Sequence, residues 1–163
     1  MLYDIFPLIL NKINVMEKFL PEIKLSYTKG SFIDRQKSIT CSTDSYSVIK
    51  NLFDADTIEL FESVIILYLD NALKPIGFIR HSTGSTNSSC IDKKLIISSA
   101  LLSNASAFII AHNHPSGNLI PSYQDKTVME DLKKAATFFD IRLIDSLILS
   151  NERYYSMMDN MDM

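Results

Sequence analysis

A chain of 163 residues is long enough for one domain with a real core, and a composition 47% hydrophobic against 21% charged excludes an intrinsically disordered polymer. A net charge of −3 with no Lys/Arg run longer than two gives no positive footprint of the kind that tracks nucleic acid. Cys41 and Cys90 stand far apart and form no C-x-x-C pair, so they read as free thiols of a reducing cytosol, and a cytoplasmic protein is expected.

Met1 to Leu20 is apolar but interrupted by Asp4, Lys12, Glu17 and Lys18, without the basic leader and long apolar core of a signal peptide, and no transmembrane segment is expected. Ile5, Leu8, Ile9, Ile13, Met16 and Leu20 fall near helical spacing, with Pro7 in the first turn. The polar face of this helix is not strongly basic. Its expected role is therefore packing on the domain, on a protein partner or on a second copy, rather than on a membrane. Glu22 to Tyr27 alternates like a half-buried strand, and Gly30 to Lys37 reads as a loop. Ser38 to Cys41 reads as a short strand, Ser42 to Phe53 as a helix, and Asp54 to Leu60 as a loop or a short second helix.

Glu62 to Asp70 is dense in β-branched and apolar residues and ends on an Asp-Asn turn signal, predicting a buried central strand. Leu73 to Arg80 answers it as the second strand of an antiparallel hairpin. Thr83 to Asn87 reads as a loop, and Asp92 caps a helix running to Asn104. Phe108 to Ala111 is the next strand, and Ser122 to Phe139 the longest helix, with Val128, Leu132, Ala135, Ala136 and Phe139 on one face. Ile141 to Leu149 returns as a strand, Tyr154 to Met157 adds a short edge strand, and the last residues are expected to fray. This alternation predicts an α/β domain with a mixed central sheet and helices on both faces.

The chemistry concentrates between Ala105 and Asp125. Residues two apart on an extended chain share a face, so His112 and His114 present both imidazoles to one side. Pro115, Ser116 and Gly117 then turn the chain, and Ser122 opens the helix that carries Asp125. Two histidines and one carboxylate with room for water form the ligand set of a catalytic zinc site. Ser122-x-x-Asp125 is equally a capping box, and the readings coexist, because a cap fixes where Asp125 points. Asn113, between the histidines, should face away and bond a neighbouring loop. His81 ends a hairpin strand and reads as a surface residue or an outer neighbour of the site. A zinc deaminase would need H-x-E and P-C-x-x-C, and neither is present.

H-N-H-P-S-G followed by P-S-Y-Q-D resembles the metal motif of the JAMM (MPN+) metallopeptidase superfamily, and its Asn-His-Pro-Ser-Gly wording resembles the RadC-like branch. The resemblance spans roughly Ser42 to Ser156. It implies a JAB/MPN, cytidine-deaminase-like fold over residues 41–157, with 1–40 as an N-terminal extension and 158–163 as a tail. It also implies Zn²⁺ held by His112, His114 and Asp125, with Glu62 as the general base and Ser122 as a donor to the developing oxyanion. The implied reaction is hydrolysis of a peptide or isopeptide bond in a peptide or protein substrate. A second reading is a metal-binding interaction module without catalysis, in a family whose name is associated with DNA repair and recombination. RadC-like chains often carry Asp-His after the long helix. Here Asp145 precedes Ser146, and Asp145 is expected to orient a ligand histidine.

Overall fold

Six consecutive buried residues, Val64 to Leu69, make up most of strand β1 (Ser63–Leu69), and a strand buried on both faces needs a layer on each side. The computed structural model describes residues 26, 37–83 and 91–163 and supplies those layers. The expected helix within 1–20, most of the Glu22–Tyr27 strand, most of the loops over 30–37 and 83–87, and Cys90 lie outside the described residues; Ser26 itself is not in a strand. The described strands form a mixed five-stranded sheet in the order β2-β1-β3-β4-β5. The helices of the described residues are α1 (Ser42–Ile49), α2 (Lys93–Leu102) and α3 (Tyr123–Thr137). No helix among the described residues is long and apolar enough to cross a membrane.

Strand β2 (Pro75–Thr83) pairs antiparallel with β1 across the turn that begins at Asp70. The Asp70 carboxylate accepts from the amides of Ala72 at 2.8 Å and Lys74 at 2.9 Å, so the turn signal works through a side chain that folds the backbone onto itself. On its other edge β1 pairs antiparallel with β3 (Ala107–Asn113). Strand β4 (Arg142–Leu149) runs parallel to β3 after the α3 crossover, and β5 (Tyr154–Ser156) closes that edge antiparallel to β4.

Alternation along the strands divides the core in two. Val64, Ile66, Tyr68, Phe108 and Ile110 meet α2 and α3 through Ile96, Ala100, Met129, Leu132 and Ala136. Ile65, Leu67, Leu69, Ile109, Ala111, Leu147 and Leu149 meet α1 and its following turn through Ile49 and Leu52. The expected α/β layering, with helices on both faces, is what the chain forms.

The details differ in four places. Residues 38–40 form no strand; Thr40 instead offers its amide (3.1 Å) and hydroxyl (2.8 Å) to Asp44. The helix expected over Ser42 to Phe53 tightens to 3₁₀ at Lys50–Leu52. Helix α3 stops at Thr137, leaving Phe139 half exposed at 50% instead of on the inner face. The closing residues, expected as a loose tail, bond back to the domain. Asp162 accepts from Tyr155 at 2.7 Å and Lys126 at 2.5 Å, and its amide reaches the Met157 carbonyl at 2.8 Å.

Candidate metal centre

Strand β3 runs two residues beyond its apolar segment, so His112 and Asn113 are both strand residues, and each obeys the alternation. His112 is opposite Val64 and lies on the face covered by α2 and α3. His114 follows the strand end, its amide held by the Leu149 carbonyl at 2.9 Å. The chain then turns through Gly117, whose φ of 73° suits a residue without a Cβ. That turn returns the Asn118 carbonyl to His114 Nδ1 at 2.5 Å. A carbonyl only accepts, so Nδ1 carries the proton and Nε2 is left with a bare lone pair.

That lone pair points at the other imidazole: the two Nε2 atoms are 3.0 Å apart, with the rings tilted at 58°. Helix α3 brings in the third group. The Ser122 hydroxyl accepts from the Asp125 amide at 3.1 Å, and Asp125 Oδ2 accepts from the Ser122 amide at 2.8 Å and its hydroxyl at 2.5 Å. This is a full capping box. It occupies Oδ2 and turns Oδ1 to within 3.6 Å of His112 Nε2. One donor atom from each of His112, His114 and Asp125 thus lies within 4.8 Å of the others. Ligands at 2.0–2.2 Å from a tetrahedral ion stand about 3.4 Å apart, close to the 3.0 Å and 3.6 Å that separate His112 Nε2 from His114 and Asp125.

The electrostatics agree with that use. Burial pushes His112 down to about 4, with the nearby Asp125 carboxylate pulling it up and His114 pushing it further down. A neutral imidazole at neutral pH keeps the lone pair a metal requires. His112 Nδ1 is buried without a partner, and so is the Ser146 hydroxyl.

The remaining residues fall as follows. Glu62 sits just before β1, half-buried, and is not a member of the three-residue cluster. Ser122 is exposed and its hydroxyl is committed to Asp125, so no free oxyanion donor stands there. Asp145 does not orient a histidine. It pairs opposite Ile109, on the face away from His112, and accepts from Ser156 (2.7 Å) and from the amides of Ser146 (2.7 Å) and Met158 (3.1 Å). It therefore organises the chain after β5, and burial holds its pKa above the usual carboxylate value. His81 is not a bare surface residue; its Nε2 accepts from the Asp92 amide at 2.8 Å and ties β2 to the residue that caps α2.

Asn113 does face away, as its position requires. It is completely buried, with Nδ2 donating to the carbonyls of Ile58 (2.6 Å) and Phe61 (2.9 Å) and Oδ1 accepting from the Ser63 amide (2.7 Å). Sequence reasoning missed the Asn118 carbonyl altogether. It is a backbone group, and only the glycine at 117 hinted at the turn that brings it in.

Known proteins are similar to this chain over much of its length. A UPF0758 protein of Flavobacterium johnsoniae is 33% identical over 124 residues, which is 76% of this chain and 52% of that relative. A UPF0758 protein of Haemophilus influenzae is 37% identical over 117 residues, 66% of this chain and 53% of that relative. A UPF0758 protein of Coxiella burnetii is 32% identical over 139 residues, 85% and 60% of the two chains. The chain spans about half the length of such curated relatives. The model of the RadC-like JAB domain matches residues 39–162, which takes in β1 to β5, the three helices of the described residues and both motif histidines, and on that match the chain belongs to the RadC-like JAB domain family.

Proposed function

We propose that this chain is a zinc-dependent hydrolase of a peptide or isopeptide bond, with His112, His114 and Asp125 as metal ligands and Glu62 as general base. The observation that carries the proposal is the convergence of two imidazole Nε2 atoms and one carboxylate oxygen, with His114 held in the metal-binding tautomer by a backbone carbonyl. Two nitrogens and one oxygen suit zinc, and the three ligands leave a fourth position open. Zinc bound there would supply an acidic water near neutral pH and a positive charge for the substrate's carbonyl oxygen.

The chain's own groups do the rest. Asp125 offers Oδ1 while the cap retains Oδ2, so its direction is set before any ligand arrives. Glu62 lies two residues before Val64, the residue paired with His112 at the end of the β1–β3 ladder, which sets it at the same end of the sheet as the ligands. From there the Glu62 carboxylate would take a proton from the attacking water and deliver it to the leaving amine. Ser122 contributes by holding Asp125, since its hydroxyl proton already goes to that carboxylate.

The second reading is a metal-binding interaction module without catalysis. It is favoured by the commitment of the Ser122 hydroxyl and by Glu62 standing outside the ligand cluster. One experiment separates them. Zinc-loaded protein is assayed on quenched-fluorescent peptide and isopeptide-linked substrates beside Glu62→Gln and a chelator-treated control. The hydrolase reading expects cleavage that the chelator stops and Glu62→Gln lowers by roughly 10²–10⁴-fold with zinc retained. Zinc bound without any cleavage favours the module. A peptide or protein partner is proposed in either case. With a net charge of −3, affinity for DNA is expected to be weak, with only a shallow slope of log K against log salt.

A further inference from the structure

We propose that Asn113 is a positioning residue that fixes Glu62 against the metal ligands, an inference that rests on Glu62 being the general base. Asn113 stands between His112 and His114, and its pairing with Leu149 puts its side chain on the opposite face of the sheet. There it binds the main chain on both sides of Glu62: the Phe61 carbonyl at 2.9 Å before it and the Ser63 amide at 2.7 Å after it. A third bond, to the Ile58 carbonyl at 2.6 Å, anchors the turn that leads in. The partners fix the amide's orientation, because two carbonyls can only accept and an N–H can only donate.

Geometry shows why this link bears on the site. The regular ladder between β1 and β3 ends at Val64 and His112. Beyond it the Asn113 side chain replaces the backbone bond that would otherwise hold Ser63 to β3. The metal-binding tripeptide is itself secured to β4, through the Asn113–Leu149 pairing and the His114 amide. One buried amide thus connects the end of β3, where His112 and His114 flank it, to the segment that bears the base. Residues 54–61 form turns rather than helix or strand, so a side-chain cross-link there sets a position the secondary structure does not. A base displaced by about 1 Å loses on the order of a hundredfold in rate, which makes such a link consequential.

Asn113→Asp tests this. It keeps the shape and the acceptor for the Ser63 amide but replaces both donors with an oxygen facing two carbonyls. Zinc affinity, steady-state kinetics on the cleaved reporter peptide, and amide exchange of the 61–63 segment are measured in zinc-loaded wild type, Asn113→Asp, Glu62→Gln and the double variant. The proposal expects zinc affinity within a few-fold of wild type, kcat at least tenfold lower with KM little changed, and faster exchange at Ser63. It also expects Asn113→Asp to add nothing further in the Glu62→Gln background. A visible spectrum of the cobalt-loaded proteins gives a second readout: the pH midpoint of its bands should move in Asn113→Asp as it does in Glu62→Gln. Full activity and an unmoved midpoint in Asn113→Asp, with both altered in Glu62→Gln, overturn the role of Asn113 and leave the base in place. Full activity in Glu62→Gln instead removes the base reading itself. Should Asn113→Asp not fold, Asn113→Ser, too short to reach both carbonyls, takes its place; loss of the fold in both would make Asn113 a folding residue and overturn the proposal.

Discussion

His112 and Asn113 are neighbours on one strand, both buried, and their polar atoms meet opposite fates. On the Asn113 face each amide atom has a main-chain partner, three bonds in all. On the His112 face Nδ1 has none, and Nε2 lies 3.0 Å from His114 Nε2 and 3.6 Å from an Asp125 carboxylate oxygen. Buried polar groups are normally satisfied, so the Asn113 cluster accounts for itself within the fold, whereas the His112 cluster keeps one buried ring nitrogen without a partner. Asn113 stabilises the structure by what it already binds; His112 belongs to a group that could hold a metal ion.

The contrast can be broken by substitution. His112→Leu should abolish zinc binding outright, yet leave the metal-free protein as stable as wild type or more so, because it removes an unpaired buried polar atom. Calorimetric zinc titration and a melting curve in chelator check both halves; a large drop in metal-free stability would mean that His112 is structural. Asn113→Leu should do the reverse. It strands two carbonyls and one amide, at about 1–3 kcal/mol each where water cannot reach them, so urea unfolding should show a loss of about 3 kcal/mol or more. Ser122→Ala should cost about 1 kcal/mol as a lost helix cap and should also weaken zinc binding, because Asp125 loses its tether. A pure cap would show the first effect without the second.

The smallest effect concerns Asp145. Burial raises its pKa, with the bonds from Ser156, Met158 and Ser146 pulling it partly back. A raised folded-state pKa contributes stability that is complete below the ordinary value of 3.8 and fades as pH rises through the folded value. The stability difference between wild type and Asp145→Asn should therefore favour wild type most at the acid end and shrink from pH 4 towards neutrality. A difference that stays flat in urea titrations across that range would contradict it.

The same two residues show how much was legible in the sequence. Alternation along β3 was enough to put His112 and His114 on one side and Asn113 on the other, because strand periodicity is a local property. The capping box was legible for the same reason, since Ser122 and Asp125 are one helical turn apart. Asp145 misled because its role depends on a bulge: the β3–β4 register slips between Phe108 and Ile109, and the carboxylate ends on the far face. The anchors of the tail were not legible, because Lys126 is distant in sequence and Tyr155 is separated from Asp162 by a turn that no short motif encodes. The tautomer of His114 was invisible, being set by a backbone carbonyl.

Zinc-edge anomalous diffraction from crystals grown with added zinc tests the central claim most directly. The account predicts a single peak between β3 and α3, about 2.0–2.2 Å from His112 Nε2, His114 Nε2 and Asp125 Oδ1. A zinc peak held elsewhere, or no peak while the two imidazoles share a proton between them, would contradict it.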